Sequence, residues 1–140
     1  MRLHASREIA ASPSSIFAAF EDEARLARWW GPDGFTSTFQ SFALEPGRMW
    51  TFVMHGPDGK DYKNQISVLE VVPGSKIMLH HVSGPRHLLT VTLESTSDGG
   101  TTVGWNQEFE NPDVGRRLLP ILTSANEEVL TRLGAEVTGI

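Results

Sequence analysis

The chain contains no cysteine. That removes disulfides, thiolate nucleophiles and the usual structural zinc sites, and it fits a reducing compartment. Long apolar runs are missing too. Nothing approaches the ~20 residues needed to cross a bilayer, and Met1–Ser12 lacks the continuous apolar segment of a signal peptide. The expected location is therefore cytoplasmic. Positive charge is scarce: 12 Lys and Arg against 17 Asp and Glu leave a net charge of −5. The densest basic cluster is the pair Arg116-Arg117, so no basic face is available for a nucleic-acid backbone. Low-complexity linkers, repeats and composition breaks are also absent. One domain over residues 1–140 is the simplest organisation, long enough to bury ~68–70% of the surface an unfolded chain exposes.

What the chain does have is regular punctuation. Arg2 to Ala10 has β character and ends at Ser12-Pro13, a helix cap followed by a residue suited to the first turn. Pro13 to Phe20 then carries Ile16, Phe17 and Phe20 at helical spacing. Asp22 can cap a second short helix that reaches Arg28 or Trp29 and stops at Gly31-Pro32. Beyond this point the period changes to two. Phe35–Leu44, Arg48–His55, Lys60–Val72, Lys76–Val82, His87–Ser95 and Thr101–Phe109 read as strands, separated by short runs of Gly, Pro, Asp and Ser. Such short connections require antiparallel neighbours, because parallel strands need long crossovers. After Asn111-Pro112-Asp113, residues Val114, Leu118, Leu122, Ala125, Val129, Leu133 and Val137 recur at steps of three or four, which predicts a long helix to Thr138. Pro120 lies within it and is expected to kink it or to split off its first turns.

The fold class that follows is α+β. A curved seven-stranded antiparallel sheet wraps around a long C-terminal helix, with two short helices between strands 1 and 2. A curved sheet meeting a straight helix leaves a wedge, and strand alternation says which side chains enter it. Trp50, Phe52 and Met54 share one face, as do His81 with Ile77 and Leu79, and Trp105 and Gln107 with Val103 and Phe109. Asn64 is in step with Tyr62 and Ile66, and Leu122 and Asn126 fall on or beside the apolar stripe of the last helix. An apolar enclosure with a few polar groups is the usual composition of a small-molecule site. The competing reading is that Asn64, His81, Gln107 and Asn126 simply bond to backbone or water.

Catalytic and metal signals are weak. His80 and His81 point to opposite faces of one strand, and His4, His55 and His87 have no ligand spacing, so no metal site is expected. There is no G-x-S-x-G element, and no cofactor motif stands out. An acid–base pair of His81 with Glu70 or Glu108 is conceivable, and Glu70 can equally be a solvated strand charge. The pair Trp29-Trp30 raises its own question. If Trp30 is still helical, the two indoles stand about 100° apart, so one would plug the core while the other covers an edge or a pocket rim.

The motifs Trp29-Trp30-Gly31-Pro32, Gly34-Phe35-Thr36 and Pro46-Gly47-Arg48-Met49-Trp50-Thr51-Phe52-Val53-Met54-His55-Gly56-Pro57-Asp58-Gly59 closely resemble homologues of the activator of heat-shock protein 90 ATPase. Tyr62-x-Asn64, Glu70-Val71-x-Pro73, Thr90-Val91-Thr92-Leu93, Gly99-Gly100-Thr101-Thr102 and Leu130-x-x-Leu133 extend the resemblance over nearly the whole chain. That family belongs to the START-like, or SRPBCC, superfamily with the birch-pollen-allergen fold. The resemblance implies a helix-grip fold with a hydrophobic cavity between sheet and helix. Many members carry Gly-Trp where this chain has Ala125-Asn126, an exchange that would enlarge the cavity and add a polar handle.

Three functions compete on these grounds. The first is binding of a small hydrophobic or aromatic ligand by Trp50, Phe52, Met54, Asn64, His81, Trp105, Gln107, Leu122 and Asn126. The second is a polyketide cyclase-like or hydrolase-like enzyme that uses His81 with Glu70, Asn64 or Gln107. The third is a co-chaperone-like contact with heat-shock protein 90. A homodimer is compatible with all three.

Overall fold

The computed structural model describes residues 1–139. Its helices begin where side-chain acceptors are available. Ser12 Oγ accepts from Ser15 N at the start of α1 (Pro13–Glu21), and Asp22 Oδ1 accepts from Arg25 N at the start of α2 (Glu23–Trp29). These follow β1 (Arg2–Ile9) and precede six strands: β2 (Thr36–Ser41), β3 (Met49–His55), β4 (Asp61–Val72), β5 (Lys76–His81), β6 (His87–Ser95) and β7 (Thr101–Phe109). The last element is α3 (Pro112–Thr138), capped by the Asn111 side chain on the backbone amides of Asp113 and Val114.

All seven strands form one antiparallel sheet in the order β1-β7-β6-β5-β4-β3-β2. The meander from β2 to β7 is local, whereas β1 crosses back to pair with β7 and reaches from Arg2↔Glu108 to Ile9↔Thr101. The second strand is shorter than its apolar run suggests. After a register shift between Phe39 and Ser41 the chain leaves the ladder. Phe42 and Leu44 turn back onto the core, and Ala43 O accepts from Trp50 Nε1 at 3.1 Å.

The concave face of the sheet grips α3. Val129, Leu130 and Leu133 of the helix are buried in one core with Trp105, Val91, Ile77 and Val68 of the sheet. Arg7 on β1 anchors the same helix through Glu127 Oε2 at 2.8 Å and Thr131 Oγ1 at 2.9 Å. α3 is one helix of 27 residues, about 40 Å long, and Pro120 does not split it. Pro120 and its neighbours Leu119 and Ile121 are exposed, so the ring projects away from the sheet, and the carbonyl it cannot bond faces water.

A column of charge on α3 holds α2 and the following loop. Glu136 takes Arg25 Nε at 3.0 Å and Arg28 NH2 at 2.9 Å, and Glu128 Oε1 accepts from Asp33 N at 3.0 Å. Between them Arg132 donates to the carbonyls of Gly31, Pro32 and Phe35, each at 2.8 Å, and to that of Arg28. Residues 128, 132 and 136 are four apart, so they rise along one face of the helix. The turn that brings the loop into this clamp needs Gly31 at φ +110°, where a Cβ would also strike the Met54 methyl group.

Both indoles of the Trp29-Trp30 pair are core residues, with 1% and 7% exposure. The expectation that they diverge fails because Trp30 is the C-cap, with extended backbone at φ −71° and ψ 114°. The helical rotation ends at Trp29, and Trp30 swings inward between Trp50 and Trp105, with ring centroids at 5.5 and 5.8 Å.

Candidate functional site

The concave face divides in two. Towards α2 it is aromatic: Phe20 lies 4.8 Å from Trp29, Trp29 lies 5.5 Å from Trp30, and Trp30 lies against Trp50 and Trp105 in edge-on or tilted geometry. Trp50 and Phe52 belong to this filling, at 0% and 1% exposure. Towards the start of α3 the same face turns polar. The antiparallel register aligns His81 with His87 and Leu89 with Gln107, which places inward polar groups on four neighbouring strands.

These groups are joined by hydrogen bonds. Asn126 Nδ2 on α3 donates to Gln107 Oε1 on β7 at 2.8 Å. Gln107 Nε2 faces His87 Nε2 on β6 at 3.4 Å, and His87 Nδ1 lies 2.9 Å from Pro85 O. A ring nitrogen against a carbonyl must carry the proton, so His87 donates through Nδ1 and accepts from Gln107 through Nε2. That is the neutral ring, and burial holds its pKa down at about 4. The His87 ring stacks on His81, with centroids 4.9 Å apart and planes inclined by 13°. His81 places Nδ1 2.7 Å from Ser83 O and Nε2 2.9 Å from Asn64 Oδ1, while Asn64 Nδ2 donates to Tyr62 O. Only a protonated ring satisfies both oxygens, yet burial lowers the His81 pKa as well, so two opposing influences meet at this residue.

Four of the nine candidates, Asn64, His81, Gln107 and Asn126, therefore lie in one row. Met54, partly exposed, borders a groove of about 510 Å³ at the end of β3 and the start of β4, lined also by Pro32, Phe35, Asp61, Tyr62, Lys63, Asn64 and Gly84. Leu122 is half-buried on α3, as are Leu118 and Ala125, whereas the buried residues Val129, Leu130 and Leu133 follow further along the helix. Trp105 is 4% exposed, and its indole N–H has no hydrogen-bond partner.

His87 is the member of the row that spacing of metal ligands passed over. Its signal lay in strand alternation, since His87, Leu89, Val91 and Leu93 all point inward. The carboxylate proposed to work with His81 is elsewhere. Glu70 follows a bulge in β4 and pairs with Lys76 at 3.4 Å, and Glu108 pairs with Arg2 at 3.4 Å on the convex side. The proposed His81–Glu70 acid–base pair is corrected accordingly: alternation sends inward-facing His81 and these acids to opposite faces of the sheet. His80, also on the convex side, meets Glu110 at 2.6 Å. Among the described residues, no three His, Cys, Asp or Glu side chains gather as a metal cage, and no helix is long and apolar enough to cross a membrane.

A curved antiparallel sheet closed on a long C-terminal helix, with two short helices sealing one end, defines a helix-grip protein. The chain belongs to the family described as Activator of Hsp90 ATPase homolog 1-like protein, whose model matches residues 10–137. Solved structures share the fold at low identity. One from Arthrobacter aurescens superposes with a TM-score of 0.89 at 19% identity, over 99% of this chain and 87% of that one. One from Nitrosomonas europaea gives 0.89 at 18% identity, over 99% and 95%. The AHSA1 protein of Silicibacter pomeroyi gives 0.76 at 24% identity, over 98% and 97%. No curated protein matches the sequence.

Proposed function

We propose that this is a cytoplasmic, single-domain binding module that holds a small apolar or aromatic molecule between the curved sheet and α3. The observation that carries the reading is the row Asn64–His81–His87–Gln107–Asn126, set into an otherwise apolar concave face. A core designed only for stability gains little from five polar side chains that must each be satisfied, whereas a ligand site uses sparse polar groups to orient its guest. The half-buried helix residues Leu118, Leu122 and Ala125 supply an apolar approach to that row, and the mixed groove beside Met54 reaches its Asn64 end.

Thermal denaturation in the presence of fatty acids, aromatic acids and polycyclic ketones tests the reading. A true ligand at one hundred times its Kd stabilises the fold by ~2.7 kcal/mol, a clear rise in Tm. No shift with any class would remove the proposal.

The family match favours a second reading, a contact with heat-shock protein 90. Retention of the purified protein on immobilised chaperone would support it, and its absence at micromolar concentrations would argue against it. An acid–base enzyme is less favoured, because His81 and His87 find amides and carbonyls as partners rather than a carboxylate.

A further inference from the structure

The convex face of the sheet carries a chain of three hydrogen-bonded side chains, separate from the concave row. Trp50 and Phe52 of β3 are buried in the core, so alternation turns His55 on the same strand outward. His55 stands directly opposite Asp61 on β4, and Thr38 on β2 is its diagonal neighbour. Its Nδ1 lies 2.8 Å from Asp61 Oδ1, and its Nε2 lies 2.7 Å from Thr38 Oγ1. An ionised carboxylate only accepts, so Nδ1 carries the proton and Nε2 is left to accept from the Thr38 hydroxyl. Hydroxyl, imidazole and carboxylate thus stand in the order of a nucleophile, a general base and the group that fixes the base's tautomer. Thr38 is exposed, and the residue opposite it, Val53, lines a groove of about 470 Å³ with Gln40, Lys63 and Ser83. Val53 also pairs with Lys63, so the hydroxyl-bearing residue, the apolar residue and the lysine form one row across three strands.

We propose that Thr38 is the nucleophile of an esterase site for small carboxylic esters, with His55 as its base and Asp61 as a positioning residue. Thr38 Oγ1 attacks the ester carbonyl carbon while His55 Nε2 takes the hydroxyl proton, and the carbonyl electron pair moves onto oxygen. Collapse re-forms the carbonyl and breaks the bond to the alkoxy oxygen, and His55 returns the proton to the departing alcohol. Water then attacks the acyl-Thr38 ester by the same proton route, which releases the acid and restores the hydroxyl. Lys63 and the amide of Gln40, both lining the groove, are the donors available to the oxyanion. The groove has the volume of a small-molecule site. It faces away from the concave row, so failure of this proposal leaves the binding reading in place.

Hydrolysis of p-nitrophenyl acetate by the full chain tests the proposal. Thr38→Ala and His55→Gln should each lower kcat/KM about a hundredfold, and Thr38→Ser should retain activity. Asp61→Asn should lower kcat with KM little changed, because the ring loses the partner that fixes its tautomer. A solvated imidazole or amine also cleaves this ester unaided, and Thr38→Ala separates that background from the triad. Mass spectrometry of wild-type protein quenched during turnover should find an acetyl group on Thr38, a measurement that does not depend on any variant folding. Hydrolysis no faster than in buffer, an undiminished rate in Thr38→Ala, or acetyl groups on lysine or histidine alone overturns the proposal.

Discussion

The two ends of the concave face are built from the same strands and differ in how each is held. At the aromatic end, Phe20, Trp29, Trp30, Trp50 and Trp105 exclude water by area and shape, and two of the indoles also bond to backbone carbonyls. At the polar end, Asn64, His81, His87, Gln107 and Asn126 depend on directed bonds between elements distant in sequence, beneath a span of α3 that is only partly covered. Dispersion and hydrophobic burial tolerate small displacements. Hydrogen bonds in a low-dielectric setting do not. The aromatic end therefore carries stability, and the polar end is where an altered side chain changes behaviour more than it changes the fold.

Truncation at the aromatic end should have the largest effect. Trp29→Ala removes a side chain at 1% exposure together with its bond to Ala19 O, and should cost ~3–5 kcal/mol in urea unfolding. A loss below ~1 kcal/mol would mean that this end is not the main store of stability.

Acid probes the other end. The folded-state pKa of His87 lies below its unfolded value, about 4 against 6.5, so the unfolded chain takes up a proton first as the pH falls. The stability contributed by the neutral buried ring is complete above pH 6.5 and drains away towards pH 4. The loss is on the order of 3 kcal/mol, and His81 adds to it in the same direction. Denaturant titrations across this window should show the decline, and His87→Leu should flatten it. An unchanged slope in that variant would show that His87 is not buried neutral.

Smaller effects should follow on α3. Asn126→Leu leaves Gln107 Oε1 without its donor and should cost ~1–3 kcal/mol. A neutral outcome would mean that the amide pair contributes no net stability. Pro120→Ala restores a helical amide above the polar end but loosens the unfolded chain. A gain of ~1–2 kcal/mol remains after the two are set against each other. If the variant loses stability instead, the proline serves the helix in a way its exposure does not suggest.

Much of this comparison was readable from residue order. Capping by Ser12, Asp22 and Asn111, the turn runs between strands, and the inward set Trp50, Phe52, His81, Trp105 and Gln107 all follow from local rules. The helical wheel misplaces Trp30 because it does not apply to a C-cap, where one residue of extended backbone is enough to turn the indole inward. The column Glu128, Arg132 and Glu136 was invisible as a clamp. Its spacing of four is common on solvated helices, and nothing local announces that the end of α2 and the loop after it will offer four carbonyls to Arg132.

Sequence alone determined which segments are strands and helices and which face of each is buried, because periods of 2 and 3.6 residues are properties of the local backbone. Tertiary structure decided which polar groups meet. Asn126 finds Gln107, 19 residues away, and Arg7 finds Glu127, 120 away. Such contacts depend on the pairing of β1 with β7, the curvature of the sheet and the rotation of α3 against it. Those quantities are set jointly by the packing of the whole core, and a few tenths of an ångström decide whether a donor reaches its acceptor or, as at Trp105, is left without one.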